Sequence, residues 1–166
     1  MNHHGTSTKI TGTTIVLSVL IALAVVAATA GETSGQPGAR SSASIAGSWK
    51  LVVDGSGDVF FGTYNGGPSE GTVTFSSPDN SISLTHGQWK RTGPGTYADT
   101  DSGFIYDENG IAILIITFRA EIEVAPGGNT ALFNFEFDVT DFDGTVVDSG
   151  AATAVGTRIR VQPLTM

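Results

Sequence analysis

From Trp49 onward, apolar and polar residues alternate at every second position, in runs broken by glycine, proline, asparagine and aspartate. That period predicts β-strands, and helical spacing is hard to find. A first run, 48–54, is followed by a glycine-rich stretch around Asn65-Gly66-Gly67-Pro68. Residues 70–76 end in the turn Ser77-Pro78-Asp79-Asn80. "SISLT" and "HGQWKRT" lead into Gly93-Pro94-Gly95, and 96–107 ends at Glu108-Asn109-Gly110. Residues 111–124 end at Ala125-Pro126-Gly127-Gly128. The run 129–141 ends at Asp143-Gly144, a strong two-residue hairpin signal, and 145–161 closes the series. Consecutive segments with short connections predict an antiparallel meander of about eight strands.

The long segments also predict which way each side chain faces, because successive strand residues point to opposite faces. In 111–124, Ala112, Leu114, Ile116, Phe118, Ala120, Ile122 and Val124 form the buried set, and Thr117, Arg119, Glu121 and Glu123 face water. In 129–141 the buried set is Ala131, Phe133, Phe135, Phe137 and Val139. A four-residue loop at 125–128 sets Arg119 beside Asn134, with Glu136 diagonal to it. One buried and one wetted face suits a sandwich or a barrel. The run of hairpins favours the barrel, which has no edges to protect. The fold class expected is all-β: a single up-and-down barrel over 45–162. Arg, Glu and Asp on the outer faces argue against a transmembrane barrel.

Composition narrows the setting. Ile15–Ala28 is an apolar run of 14 residues, short for a bilayer span and suited to a signal-peptide core. Ala28-Thr29-Ala30 places small residues for cleavage after Ala30, so 1–30 is read as a signal peptide and the chain as secreted or periplasmic. An uncleaved membrane anchor is the other reading. Residues 31–44, rich in glycine and serine, read as a flexible linker. Beyond Ala30 the chain holds 7 cations and 16 acids, a formal charge of −9. That excess disfavours nucleic acid and anionic membrane surfaces as partners. With no cysteine, thiolate chemistry, disulfides and a lipid-modified cysteine anchor are excluded. His86 is the one histidine beyond the leader, so a histidine-rich metal site is excluded too.

"AGSWKL" (46–51) carries a G-x-W element, Gly47-Ser48-Trp49, and "GTRIRV" (156–161) stands near the other end of the segment series. Together with the meander, these resemble the lipocalins and related calycins, with the allene-oxide-cyclase-like barrels as the nearer comparison. "HGQWKRTGPGTY" is similar to a stretch in small bacterial members of that loose group. The resemblance implies that a terminal cation, Arg158 or Arg160, packs over the Trp49 ring. It also implies a cup that binds a small, largely apolar molecule, or a barrel that cyclises one. Absence of a disulfide and of a helix after the last strand departs from typical lipocalins.

Candidate ligand-contacting residues are Phe133, Phe135 and Phe137 on one strand and Phe118 on its neighbour, with Trp89, Tyr97 and Phe104 from the preceding segments. Alternation sends Trp89 and Arg91 inward and puts His86 outside or at the rim. Tyr97, Asp99 and Asp101 share one face. If it is the inner one, two carboxyls are desolvated and available as general acid or base, with Arg91 across the hairpin able to pair with one. The cost of that burial favours the opposite orientation, with Ala98, Thr100 and Ser102 inside. A bulge at Ser102-Gly103 then turns Phe104 and Tyr106 inward. Asp141, Asp143 and Asp148 lack the spacing of a calcium loop, so no metal and no cofactor is expected. Three functions stay open: a barrel binding a small hydrophobic molecule, a cyclase or isomerase shaping a polyene with Tyr97, Asp99, Asp101 or Arg91, and a structural or interaction barrel with a filled core.

Overall fold

A computed structural model of the chain describes residues 43–78 and 81–160. The signal peptide assigned to 1–30, most of the linker assigned to 31–44 and the last two residues of 45–162 lie outside the described residues. Eight antiparallel strands follow in chain order: β1 (Gly47–Val53), β2 (Val59–Gly66), β3 (Glu70–Ser76), β4 (Thr85–Gly93), β5 (Thr96–Tyr106), β6 (Ala112–Val124), β7 (Thr130–Thr140) and β8 (Val146–Arg158). Each pairs with the next, and β8 returns to β1 through Trp49↔Arg158 to Val53↔Ala154, closing an up-and-down barrel. The all-β barrel read from the alternation is the fold. Among the described residues no helix is long and apolar enough to cross a membrane.

Three local expectations are corrected. Val59–Gly66 is a strand, hidden in the sequence by the glycines that follow it; Phe60, Gly62 and Tyr64 are its inner face. "SISLT" is no separate strand, since Ile82 makes only an isolated bridge to Ile105 and β4 begins at Thr85. In the β6–β7 pairing Val124 stands opposite Ala131, so the closing loop is longer than the turn residues suggested. The register moves by two, placing Arg119 opposite Glu136, and its ion pair is with Asp138 at 2.6 Å. Being exposed, that pair fixes register more than it stabilises.

The core is densest at the end where the chain enters the barrel. Ile45, Trp49, Tyr64, Val73, Ile122 and Phe133 are all but sealed from water. Here each aromatic polar tip has a partner. Trp49 Nε1 donates to the Ile45 carbonyl (2.8 Å), Trp89 Nε1 to Asn65 (3.0 Å) and the Tyr97 hydroxyl to Ala43 (2.7 Å). Ala43 and Ser44, the last linker residues of the sequence reading, therefore pack on the barrel.

The other half is built differently. β8 opposes Phe137, Phe135 and Phe133 of β7 with Gly150, Ala152 and Ala154. This large-against-small pairing is required: a Cβ at Gly150 would stand 2.7 Å from the Phe137 ring. β1 ends opposite Ala154, while β7 and β8 run on past it. On this overhang Phe118, Phe135 and Phe137 point inward yet are only half-buried, although Phe133 on one side and Ile116 and Val139 on the other are buried. The Phe118 ring meets Phe135 and Phe137, each at 6.1 Å between centroids. The three rings stay partly accessible on the inner side of the barrel.

Candidate functional site

β5 carries the chemistry. Its alternation is unbroken from Tyr97 to Gly103, and Tyr97, Asp99, Asp101 and Gly103 are all buried. The favoured orientation, with the acids in water and Ala98, Thr100 and Ser102 inside, is overturned: Asp99 is 5% and Asp101 1% exposed. Tertiary pairing decided this. Inner positions Trp89 and Gly87 of β4 and Ala120 and Phe118 of β6 stand opposite Asp99 and Asp101, so the whole row faces inward. The bulge lies at Ile105/Tyr106 rather than at Ser102-Gly103, and Phe104 consequently stays outside, 45% exposed. It does not line the interior.

The residue that completes the site is Tyr64 on β2, which sequence reading missed. Its hydroxyl donates to Asp99 Oδ2 across the barrel. Its ring sits edge-on to Phe75 (5.7 Å) and Trp89 (6.5 Å). The alternation Phe60, Gly62, Tyr64 is the signal that pointed to it. Beyond this bond the acids are unprovided for. Asp99 Oδ1 and both Asp101 carboxyl oxygens are buried without a hydrogen-bond partner. Thr85 lies beside Asp101, though not in geometry to bond either oxygen.

Burial pushes Asp99 up to about 7, against the pull of the Tyr64 hydroxyl and with a further push from the Asp101 charge. Burial also pushes Asp101 up to about 6, opposed by Thr85. The Tyr64 hydroxyl is raised well above the usual tyrosine range by burial and then by Asp99. A carboxyl near neutrality with a hydroxyl bonded to it can give or take a proton. An ionised one, so enclosed, is a strong attractor of cations.

Among the described residues no cation answers these acids. Arg91, half-buried, turns its Nε to the Gly93 carbonyl at 2.8 Å and pairs with neither acid. Arg158 lies over the Trp49 ring, 4.4 Å from its centroid, and donates to the carbonyls of Gly128, Ala46 and Ser44. Arg160 instead donates to the Asn129 side chain. Lys50, His86, Lys90 and Arg119 are exposed on the outer surface.

Trp89 and Tyr97 are buried near the sealed end, Phe133 is buried as well, and Phe118, Phe135 and Phe137 are half-buried. A cleft of about 540 Å³ lies between β3, β4 and β5, lined by Glu70, Thr72, Gln88, Lys90 and Thr100, with Trp89 and Asp99 also at its wall. Around the turn after β7, Asp141 Oδ1 accepts from the backbone N–H groups of Asp143 (3.0 Å) and Thr145 (2.8 Å), which accounts for that aspartate without a metal.

Fold and site together define a closed β-barrel with a partly open aromatic interior and two buried acids at its centre. No family model, no curated protein and no solved structure matches this chain.

Proposed function

We propose that this is an exported, lipocalin-like barrel that binds a small, largely apolar molecule in the recess lined by Phe118, Phe135 and Phe137. The observation that carries the reading is that these inward rings remain partly accessible while Phe133 on one side and Ile116 and Val139 on the other are buried. Burying such rings under a ligand supplies affinity, at about 25 cal/mol per Å² of apolar area, and a few polar groups beneath would set its orientation. Gly47-Ser48-Trp49 and Arg158 support the lipocalin-like resemblance, since the cation lies over the tryptophan. Export is supported by the apolar run Ile15–Ala28 followed by Ala28-Thr29-Ala30.

Titration with the uncharged dye N-phenyl-1-naphthylamine tests the reading. The expected result is a saturable, blue-shifted rise in fluorescence. Phe135→Trp fills the recess and weakens uptake by roughly tenfold. Equal uptake by the variant, or none by either protein, would speak for a filled, structural barrel.

The Tyr64–Asp99 pair favours a second reading, a cyclase or isomerase in which the barrel folds a flexible polyene and the acid exchanges a proton with it. Chromatography and NMR of a polyene recovered after binding separate the two: an unchanged structure supports the binding protein, a rearranged skeleton of the same mass the enzyme.

A further inference from the structure

We propose that the molecule held in the barrel bears a primary ammonium group, which docks on Asp99 and Asp101. This rests on the binding reading above and adds the chemical class of the ligand. Three oxygens, Asp99 Oδ1 and both of Asp101, are buried acceptors with no donor. A primary ammonium has three N–H donors and no acceptor, so its hydrogen-bonding inventory matches the orphan set. Leaving such oxygens unpaired is costly, and every polar tip at the sealed end of the same barrel has found a partner. The unmet requirement is thus confined to the part of the interior that adjoins the recess.

Charge points the same way. The described cations are occupied elsewhere or face outward, so among the described residues the interior acids have no counter-ion. Around them stand the rings of Tyr64, Trp89 and Phe118, whose faces favour a cation. A hard metal ion suits the place poorly: calcium takes 6–8 oxygen ligands, whereas the acids' inner neighbours are Ala120, Phe118, Trp89 and Gly87. The excess of acids over the barrel draws cationic solutes toward it.

Geometry supplies the apolar half of the ligand. Asp101 stands opposite Phe118 in the β5–β6 pairing, and Phe118 opposite Phe137 in β6–β7. A nitrogen at Asp101 therefore leaves its alkyl or arylalkyl chain running into the recess. The Asp101 oxygens are covered in this structure, and Phe118 is the cross-strand neighbour of Asp101 on β6. Docking requires a side chain over those oxygens to move aside.

Isothermal titration of the full chain with n-octylamine and with n-octanol, at about pH 8, tests the inference. The expected result is that the amine binds at least about tenfold more tightly than the alcohol. In Asp101→Asn, and separately in Asp99→Asn, the ratio of the two affinities falls to about one. Equal binding of amine and alcohol to the native protein would overturn the ammonium site while leaving the apolar recess standing. Binding of neither would overturn the recess itself. A preference for the amine that persists in both variants would place the cation elsewhere and sink the assignment to these acids.

Discussion

Asp101→Asn stabilises the barrel at about pH 8 by about 3 kcal/mol and changes it little at about pH 4. The carboxyl titrates near its ordinary 3.8 when unfolded, but burial moves it to about 6 in the barrel. Between those values the folded state holds a proton that the unfolded state has released. Stability contributed by the protonated form is therefore full below the unfolded value and is lost as pH rises through the folded one. The loss amounts to roughly two pKa units at 1.4 kcal/mol each. Asp99, raised to about 7, extends the same decline to higher pH. The groups facing this pair from the packed strands are the Tyr64 and Thr85 hydroxyls and the Ala120 backbone N–H, each of which lowers the acid it faces without outweighing burial. Asp107 acts in the opposite sense: backbone N–H groups of Ile111 and Asn109 lower it, so its contribution is present above the ordinary carboxylate value and fades in acid. Urea unfolding from about pH 4 to pH 8 gives the comparison. A native protein whose midpoint rises over that interval, or an asparagine variant less stable than it at the alkaline end, would contradict the burial of an uncompensated acid.

Trp49→Ala costs about 4 kcal/mol. Trp49 is fully buried, edge-on to Phe133 at 6.3 Å, with Arg158 over its other surroundings at 4.4 Å and its Nε1 bonded to Ile45. It also stands opposite Arg158 in the β1–β8 pairing that closes the barrel. Losing the ring thus opens a cavity and removes the surface on which the closing strand's cation rests. Trp49→Phe keeps most of the volume and loses the N–H donor, for a cost of about 1–2 kcal/mol. Denaturant midpoints of the two variants measure both values. A loss below about 1 kcal/mol for the alanine variant would show that the barrel closes without this contact.

How legible the fold was varied from strand to strand. β6 and β7 could be oriented from the sequence because only one of their two faces is apolar: Ile122, Val124, Phe133 and Val139 against Glu121, Glu123, Asn134 and Glu136. Their pairing could not, since Ala125–Asn129 accommodates more than one loop length and both registers keep the apolar faces together. β5 offered no such contrast. In Thr96–Ser102 each face carries polar groups, so a rule that keeps acids in water chose the wrong one. Tyr64, distant in the chain, supplies the hydrogen bond that helps hold Asp99 inside.

The sequence by itself determined that the chain is a meander of strands and that its long hairpins have one greasy side. Those properties are local or periodic, and alternation every second residue expresses them directly. Tertiary structure alone decided that the acids of β5 turn inward and that Tyr64 meets them. In a closed barrel the inner face of each strand is imposed by its two neighbours, and that constraint outweighs the preference of any one strand for water.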